Sequence, residues 1–289
     1  MAPSSVDLLA KANKKASSST GWFSSSSTKF EEAADLFQQA ANAFKLEKNW
    51  DSSGRAFDKE GECRLKANEK DDAIAAFWNA SKSFKQSTSV SSVSDAVNAL
   101  TQAITLLTEQ GRFRQAADRQ KEVGNILKES DLPAARDAFE KAGEWYQMED
   151  AQATGNAILK EAAEISGSLG DYKRAVDTFV QVGNWSLSSP LTKYSVKEIW
   201  LKAGLCALGA EDVVLARNLL DKFAQQDVTF PSTREARFLN NIVIAYGDGD
   251  VEAFTAHVVE YDQVTKLDNW KTEILLRIKK TIGDEGGLA

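Results

Sequence analysis

Histidine occurs once in these 289 residues, cysteine and methionine twice each, and proline four times. A single imidazole, His257, and two distant thiols, Cys63 and Cys206, leave no zinc cluster and no Cys-His pair. Phosphate-binding glycine loops and serine nucleophile elbows are also missing. No enzyme activity is expected, nor any cofactor or metal. Asp248-Gly249-Asp250-Val251-Glu252 spaces carboxylates like a calcium loop, but Ala253 stands where the sixth-position glycine is required. It reads as an acidic turn between helices. With few prolines and few β-branched runs, strands have little support. No apolar run reaches the ~18 residues of a membrane span. Val6-Asp7-Leu8-Leu9-Ala10 is too short for a secretory leader and is followed by Lys11, Lys14 and Lys15. Basic charge is the minority, with a net charge of −7 and a pI near 5.1, which argues against nucleic acid as a partner. A soluble, cytoplasmic chain with buried, reduced thiols is expected.

What the chain has in abundance is alanine in a recurring helical design. Glu31-Glu32-Ala33-Ala34-Asp35-Leu36-Phe37 returns as Asp71-Asp72-Ala73-Ile74-Ala75-Ala76-Phe77. Counting from the aligned alanine, copies start at 33, 73, 96, 116, 135, 175 and 216. Spacings of about twenty or about forty residues are those of stacked helix-turn-helix units. Within the copy at Ala135, the positions Ala135, Ala138, Phe139 and Ala142 fall on one helical face, which must be buried. Small alanines let backbones approach, and Phe37, Phe77, Phe139 and Phe179 fill the remaining volume. Gly111-Arg112-Phe113, Ser130-Asp131-Leu132-Pro133 and Gly170-Asp171-Tyr172 supply helix ends and starts.

The expected fold is all-α: a right-handed TPR-like solenoid of antiparallel helix hairpins with a C-terminal helical bundle cap. Residues 1–28 would hold an N-terminal helix and a flexible Ser-rich loop, 29–225 the hairpin solenoid, 226–282 the bundle, and 283–289 a flexible acidic tail.

Three features stand outside the repeat. Ser17 to Ser27 places Trp22 and Phe23 in a polar loop that cannot form a core around them, so they dock back on the protein or meet a bilayer interface. Basic residues run through the middle of the chain, including Arg112, Arg119, Lys160, Lys193 and Lys197. Gathered on a concave side they would attract an acidic, elongated partner. Near the end, Ile274, Leu275, Ile278 and Ile282 make an apolar stripe that leaves Lys279 and Lys280 outward.

Lys29-Phe30-Glu31-Glu32-Ala33-Ala34, the Gly111-Arg112-Phe113 turn, Ser189-Pro190-Leu191-Thr192-Lys193-Tyr194-Ser195, Ser232-Thr233-Arg234-Glu235 and the block from Leu267-Asp268-Asn269-Trp270 to Ile282 together resemble the soluble NSF attachment proteins of the α type. The resemblance runs over nearly the full length, and the carboxyl block is its most specific part. It implies an adaptor that sheathes the SNARE four-helix bundle, several copies per complex, and recruits and stimulates the hexameric AAA ATPase NSF. The bundle is then taken apart after membrane fusion. Trp22 and Phe23 occupy the positions of the family's bulky apolar pair, which implies attachment to the cytosolic face of membranes. Arg112, Arg119, Lys160, Lys193 and Lys197 match SNARE-binding segments, although Asn156 and Asp118 stand where lysines are usual. Asp212, Asp248, Asp250, Glu252, Lys279, Lys280 and the penultimate Leu288 fall in the NSF-binding region. The runner-up is a TPR-type peptide-binding co-chaperone scaffold, which would call for compact repeats of about 34 residues.

Overall fold

In a computed structural model, which describes residues 3–18 and 26–285, each of the seven aligned alanines is fully buried. The described residues are helical, with no strand among them. The chain divides into two compact units, 1–152 and 153–289.

The first unit contains α1 (Ser5–Ser17), α2 (Ser26–Leu46), α3 (Trp50–Lys66), α4 (Lys70–Phe84), α5 (Ser92–Glu109), α6 (Phe113–Leu127) and α7 (Leu132–Met148). Each helix packs on the next in sequence, the arrangement that short turns between amphipathic helices impose. Phe37, Phe77 and Phe139 are buried as their spacing requires. What receives the last two is a glycine inside the preceding helix. A Cβ on Gly61 would lie 2.6 Å from the Phe77 ring, and one on Gly124 would lie 2.8 Å from the Phe139 ring. No side chain fits between ring and backbone there.

Helix ends follow local chemistry. Ser4 and Asp7 form a reciprocal capping box at α1. The Asp131 carboxylate accepts from the Ala134 N–H at 3.0 Å, and Pro133 sits in the first turn of α7. Gly111, Gly170 and Gly249 take the left-handed conformation expected of glycine, with φ of 71°, 81° and 69°. Lys48, Asn68, Asp150 and Glu211 do the same without glycine. For a side chain this costs about 1 kcal/mol or more, and without glycine those four turns are unmarked in the sequence.

The second unit contains α8 (Gln152–Ser168), α9 (Tyr172–Ser188), a 3-10 turn at Lys193–Ser195, α10 (Val196–Gly209), α11 (Val213–Gln226), a second 3-10 turn at Phe230–Ser232, α12 (Arg234–Gly247), α13 (Val251–Val264) and α14 (Asn269–Glu285). At its centre is α10, which is apolar nearly all round and packs against α9, α11, α12 and α14. Trp200 stacks on Phe223 at 4.5 Å and meets Phe230 edge-on at 5.0 Å. Ile274, Leu275, Ile278 and Ile282 are buried, as their stripe requires. From the same helix, the Trp270 indole N–H donates to the Glu164 carbonyl at 2.7 Å and the Arg277 guanidinium to that of Ser168 at 2.7 Å. These two bonds tie the last helix to α8. Cys63 and Cys206 are both buried free thiols, and burial pushes both thiol pKa values up.

Candidate functional site

Three of the five basic candidates belong to the second unit. A cleft of about 490 Å³ is lined there by Asn156 and Lys160 of α8, Trp185 of α9, Thr192 and Ser195 around the first 3-10 turn, and Glu198 and Lys202 of α10. Lys160 is exposed. Lys193 is exposed in the 3-10 turn itself, its ammonium 5.2 Å from the Tyr194 ring, and Lys197 is exposed in the first turn of α10. Lys197 also pairs with the buried Glu235 carboxylate at 3.2 Å. At the base of the cleft the buried Lys271 ammonium binds Glu198 at 2.8 Å and Asp268 at 3.5 Å. Burial alone pulls a lysine pKa down, and these two carboxylates outweigh it, so that of Lys271 is raised. This ion cluster fixes the wall from which the surface lysines project.

The same loop displays two apolar side chains that sequence reasoning did not single out. Leu191 is 93% exposed and Tyr194 76% exposed, on either side of Lys193. A leucine beside Pro190 in a short connection was the available signal. Periodicity assigns faces only within helices and says nothing about a loop.

The other two basic residues lie in the first unit and differ from each other. Arg112, the N-cap of α6, is at the surface, where its guanidinium pairs with Asp71 and donates to Gln115 at 2.7 Å. Arg119 is largely buried and pairs with Glu122. Its guanidinium lies 3.8 Å from the centre of the Trp78 ring, and the Lys82 ammonium lies 3.2 Å from that centre. Trp78 Nε1 donates to the second Glu122 oxygen at 3.1 Å. Burial, together with Arg119 and Lys45 and against the pull of Glu122, lowers the Lys82 pKa. Asp118 accepts from the Tyr146 hydroxyl. Burial first, and this bond second, push the Tyr146 pKa up.

The acidic candidates gather at helix turns. Asp212 caps α11 by accepting from the Leu215 N–H at 2.7 Å, and Asp250 caps α13 by accepting from Ala253 at 2.8 Å. Asp248 and Glu252 are exposed beside Asp250. A Cβ on Gly247, the last residue of α12, would lie 3.6 Å from Val213 of α11. The turns carrying Asp212 and Asp248 are therefore neighbours at one end of the unit. Glu252 and Lys279 line one groove of about 610 Å³ between α13 and α14. Lys279 is thus half-buried rather than outward, and Lys280 is exposed. Trp22, Phe23 and Leu288 lie outside the described residues.

His257 lies on α13 with its Nδ1 3.7 Å from a Glu260 oxygen. Among the described residues, no three imidazole, thiol or carboxylate groups come together to hold a metal ion. No helix there is long and apolar enough to cross a membrane.

Comparison with known proteins covers the whole chain. The family model described as "Soluble NSF attachment protein, SNAP" matches residues 3–283. The vesicular-fusion protein SEC17 of Coprinopsis cinerea is 51% identical over 293 residues, covering 100% of both chains. The alpha-soluble NSF attachment protein of Saccharomyces cerevisiae is 36% identical, covering 96% of each. The human alpha-soluble NSF attachment protein is 34% identical, over 83% of this chain and 81% of its own length. A match this long, at this identity and without large gaps in coverage, leaves one assignment: the chain belongs to the soluble NSF attachment protein family.

Proposed function

We infer that this protein is an adaptor that binds assembled SNARE complexes and recruits and stimulates the AAA ATPase NSF, which then disassembles them in vesicle fusion and intracellular transport. The observation that carries this reading is the family match over residues 3–283, supported by full-length identity of 51% to a vesicular-fusion protein.

The finer assignments combine the resemblance with the surface positions of the described residues, and for Trp22, Phe23 and Leu288 they rest on the resemblance alone. Lys160, Lys193 and Lys197, with the exposed Leu191 and Tyr194, form the SNARE-facing patch of the second unit, and Arg112 contributes from the first. Charge steers an acidic bundle, and the two apolar side chains add contact area that lysines alone lack. Arg119, also of the first unit, contributes to SNARE binding indirectly, because its charge is spent on Glu122 and the Trp78 ring. Asp212, Asp248, Asp250, Glu252, Lys279, Lys280 and Leu288 face the ATPase hexamer. Trp22 and Phe23 insert into the cytosolic face of a membrane, where two buried rings supply a few kcal/mol of reversible attachment. Several copies act on each SNARE bundle, so weak single contacts sum to a firm grip.

The test is reconstitution from purified chain, an assembled SNARE bundle and NSF. ATP-dependent disassembly that requires the chain is the expected outcome, and Lys160→Glu/Lys193→Glu weakens bundle binding about tenfold. Lys197 is left intact because its loss would strand the buried Glu235. Failure to bind the bundle, with capture of a free carboxyl-terminal peptide instead, would favour a peptide-receptor scaffold and overturn this reading.

A further inference from the structure

We propose that a cleft between α12 and α13, remote in sequence from the membrane loop and independent of the adaptor reading, binds a phosphate monoester such as that of an inositol phosphate. Two rows of side chains face each other there. Arg234, Arg237, Phe238 and Asn241 follow the i, i+3, i+4, i+7 spacing on α12, and His257, Glu260, Tyr261 and Val264 follow it on α13. Both rows line one cleft of about 240 Å³, a volume suited to a small anion and too narrow for a helix. Phe238 and Tyr261 stack with centroids 4.2 Å apart and planes at 16°, and make its apolar floor.

The rim carries the charge. Arg234 and Arg237 are exposed, and neither guanidinium has a hydrogen bond or ion pair among the described residues. Arg55, Arg64, Arg112, Arg119, Arg136 and Arg277 are each paired with a carboxylate, and what sets Arg234 and Arg237 apart from the other unpaired arginines, Arg114 and Arg217, is that they share one cleft. Three carboxylates outside the lining act on Tyr261: Glu235, one oxygen of which pairs with Lys197 at 3.2 Å while the other has no partner, and Glu198 and Asp268, which pair with Lys271 at 2.8 and 3.5 Å. Glu260 is the one acidic side chain in the lining, and it is exposed and turned to His257. The N-terminus of α12 is not the attraction, because Thr233 already caps it. Two free guanidinium forks on one wall, with the Asn241 amide beside them and the His257 imidazole opposite, offer donors for several oxygens of one dianion. A monocarboxylate would use only one fork.

Isothermal titration of the full chain with inositol 1,4,5-trisphosphate and with inorganic phosphate tests the site. Binding is expected to weaken at least about tenfold in Arg234→Gln/Arg237→Gln and to tighten severalfold in Glu260→Gln. Both substitutions are at exposed positions, and an unchanged thermal midpoint verifies that the variants fold. A second arm separates the source of the phosphate: flotation with phosphatidylcholine vesicles with and without phosphoinositide, in a Trp22→Ser/Phe23→Ser background that removes the loop's own contribution. Flotation that depends on the two arginines supports a lipid headgroup. Titration without flotation supports a soluble anion. No binding by the wild-type chain in either arm, or equal binding by the double arginine variant, overturns the proposal. The double variant should still bind the SNARE bundle and NSF, so failure here leaves the adaptor reading standing.

Discussion

At Glu60 the protein keeps a carboxyl group where water cannot reach it. The side chain is almost fully buried in α3, one oxygen accepts from Gln38 at 2.9 Å, and the other has no partner. Arg64 Nε lies 3.9 Å away, while the same guanidinium serves Asp35 at 2.6 Å and Glu69 at 2.8 Å. Burial dominates, with Arg64 and Gln38 pulling back and Asp35 and Asp72 adding to the rise, and the pKa is pushed up to about 7. The folded state therefore binds a proton more tightly than the unfolded chain does. Its stabilising effect is complete below the ordinary glutamate pKa and is lost as pH rises towards about 7, a difference of about 3 kcal/mol at most. Glu60→Gln supplies a neutral group of the same shape. Urea unfolding from pH 5 to 8 should show wild-type stability falling with pH while the variant stays flatter and becomes the more stable of the two above neutrality. Parallel pH profiles would count against a buried carboxyl as the cause.

Among the elements, the acidic turns of the second unit cap helices, and the NSF contact proposed for them is a second role that substitution can separate from the first. Asp212 and Asp250 each cap a helix, so alanine at either should cost about 1 kcal/mol of stability. Asparagine keeps the cap and removes only the charge. Asp212→Asn and Asp250→Asn are therefore expected to unfold like wild type in chemical denaturation yet bind NSF more weakly. Asp248→Ala and Glu252→Ala should be close to neutral in stability. Asparagine variants that bind NSF as wild type does would confine these two residues to capping. The helices themselves were legible in sequence because alanine and phenylalanine recur at helical spacing: all seven aligned alanines are buried. What faces those residues was not legible. Nothing around Gly61 marks it as the seat of Phe77, sixteen positions on, and nothing near Arg119 announces that Trp78 and Glu122 consume its charge. Periodicity fixes a face of one helix, whereas pairing depends on the neighbour opposite.

For the molecule as a whole, attachment, grip and ATPase coupling are assigned to different stretches of chain and should fail separately. Trp22→Ser/Phe23→Ser is expected to abolish most liposome flotation while leaving binding of a soluble SNARE bundle intact. Leu288→Ala should keep bundle binding and lower stimulation of ATP hydrolysis. If both variants lost bundle binding together, the division of labour would be wrong. The family was legible from blocks such as Leu267-Asp268-Asn269-Trp270, which hold the end of the chain in place through the Trp270 bond to Glu164. The lysine patch was legible as residue types only, since the exposure of Leu191 and Tyr194 follows from a loop whose path no spacing rule gives. The enclosure of α10 has a consequence for how the second unit opens. A helix packed against four others has no side from which to fray. Its amides should exchange with deuterated solvent only when the unit unfolds as a whole, and α13, with just Phe254 and Tyr261 buried, should exchange through smaller openings. Under a pulling load, α13 would then loosen first while α10 keeps the unit's time.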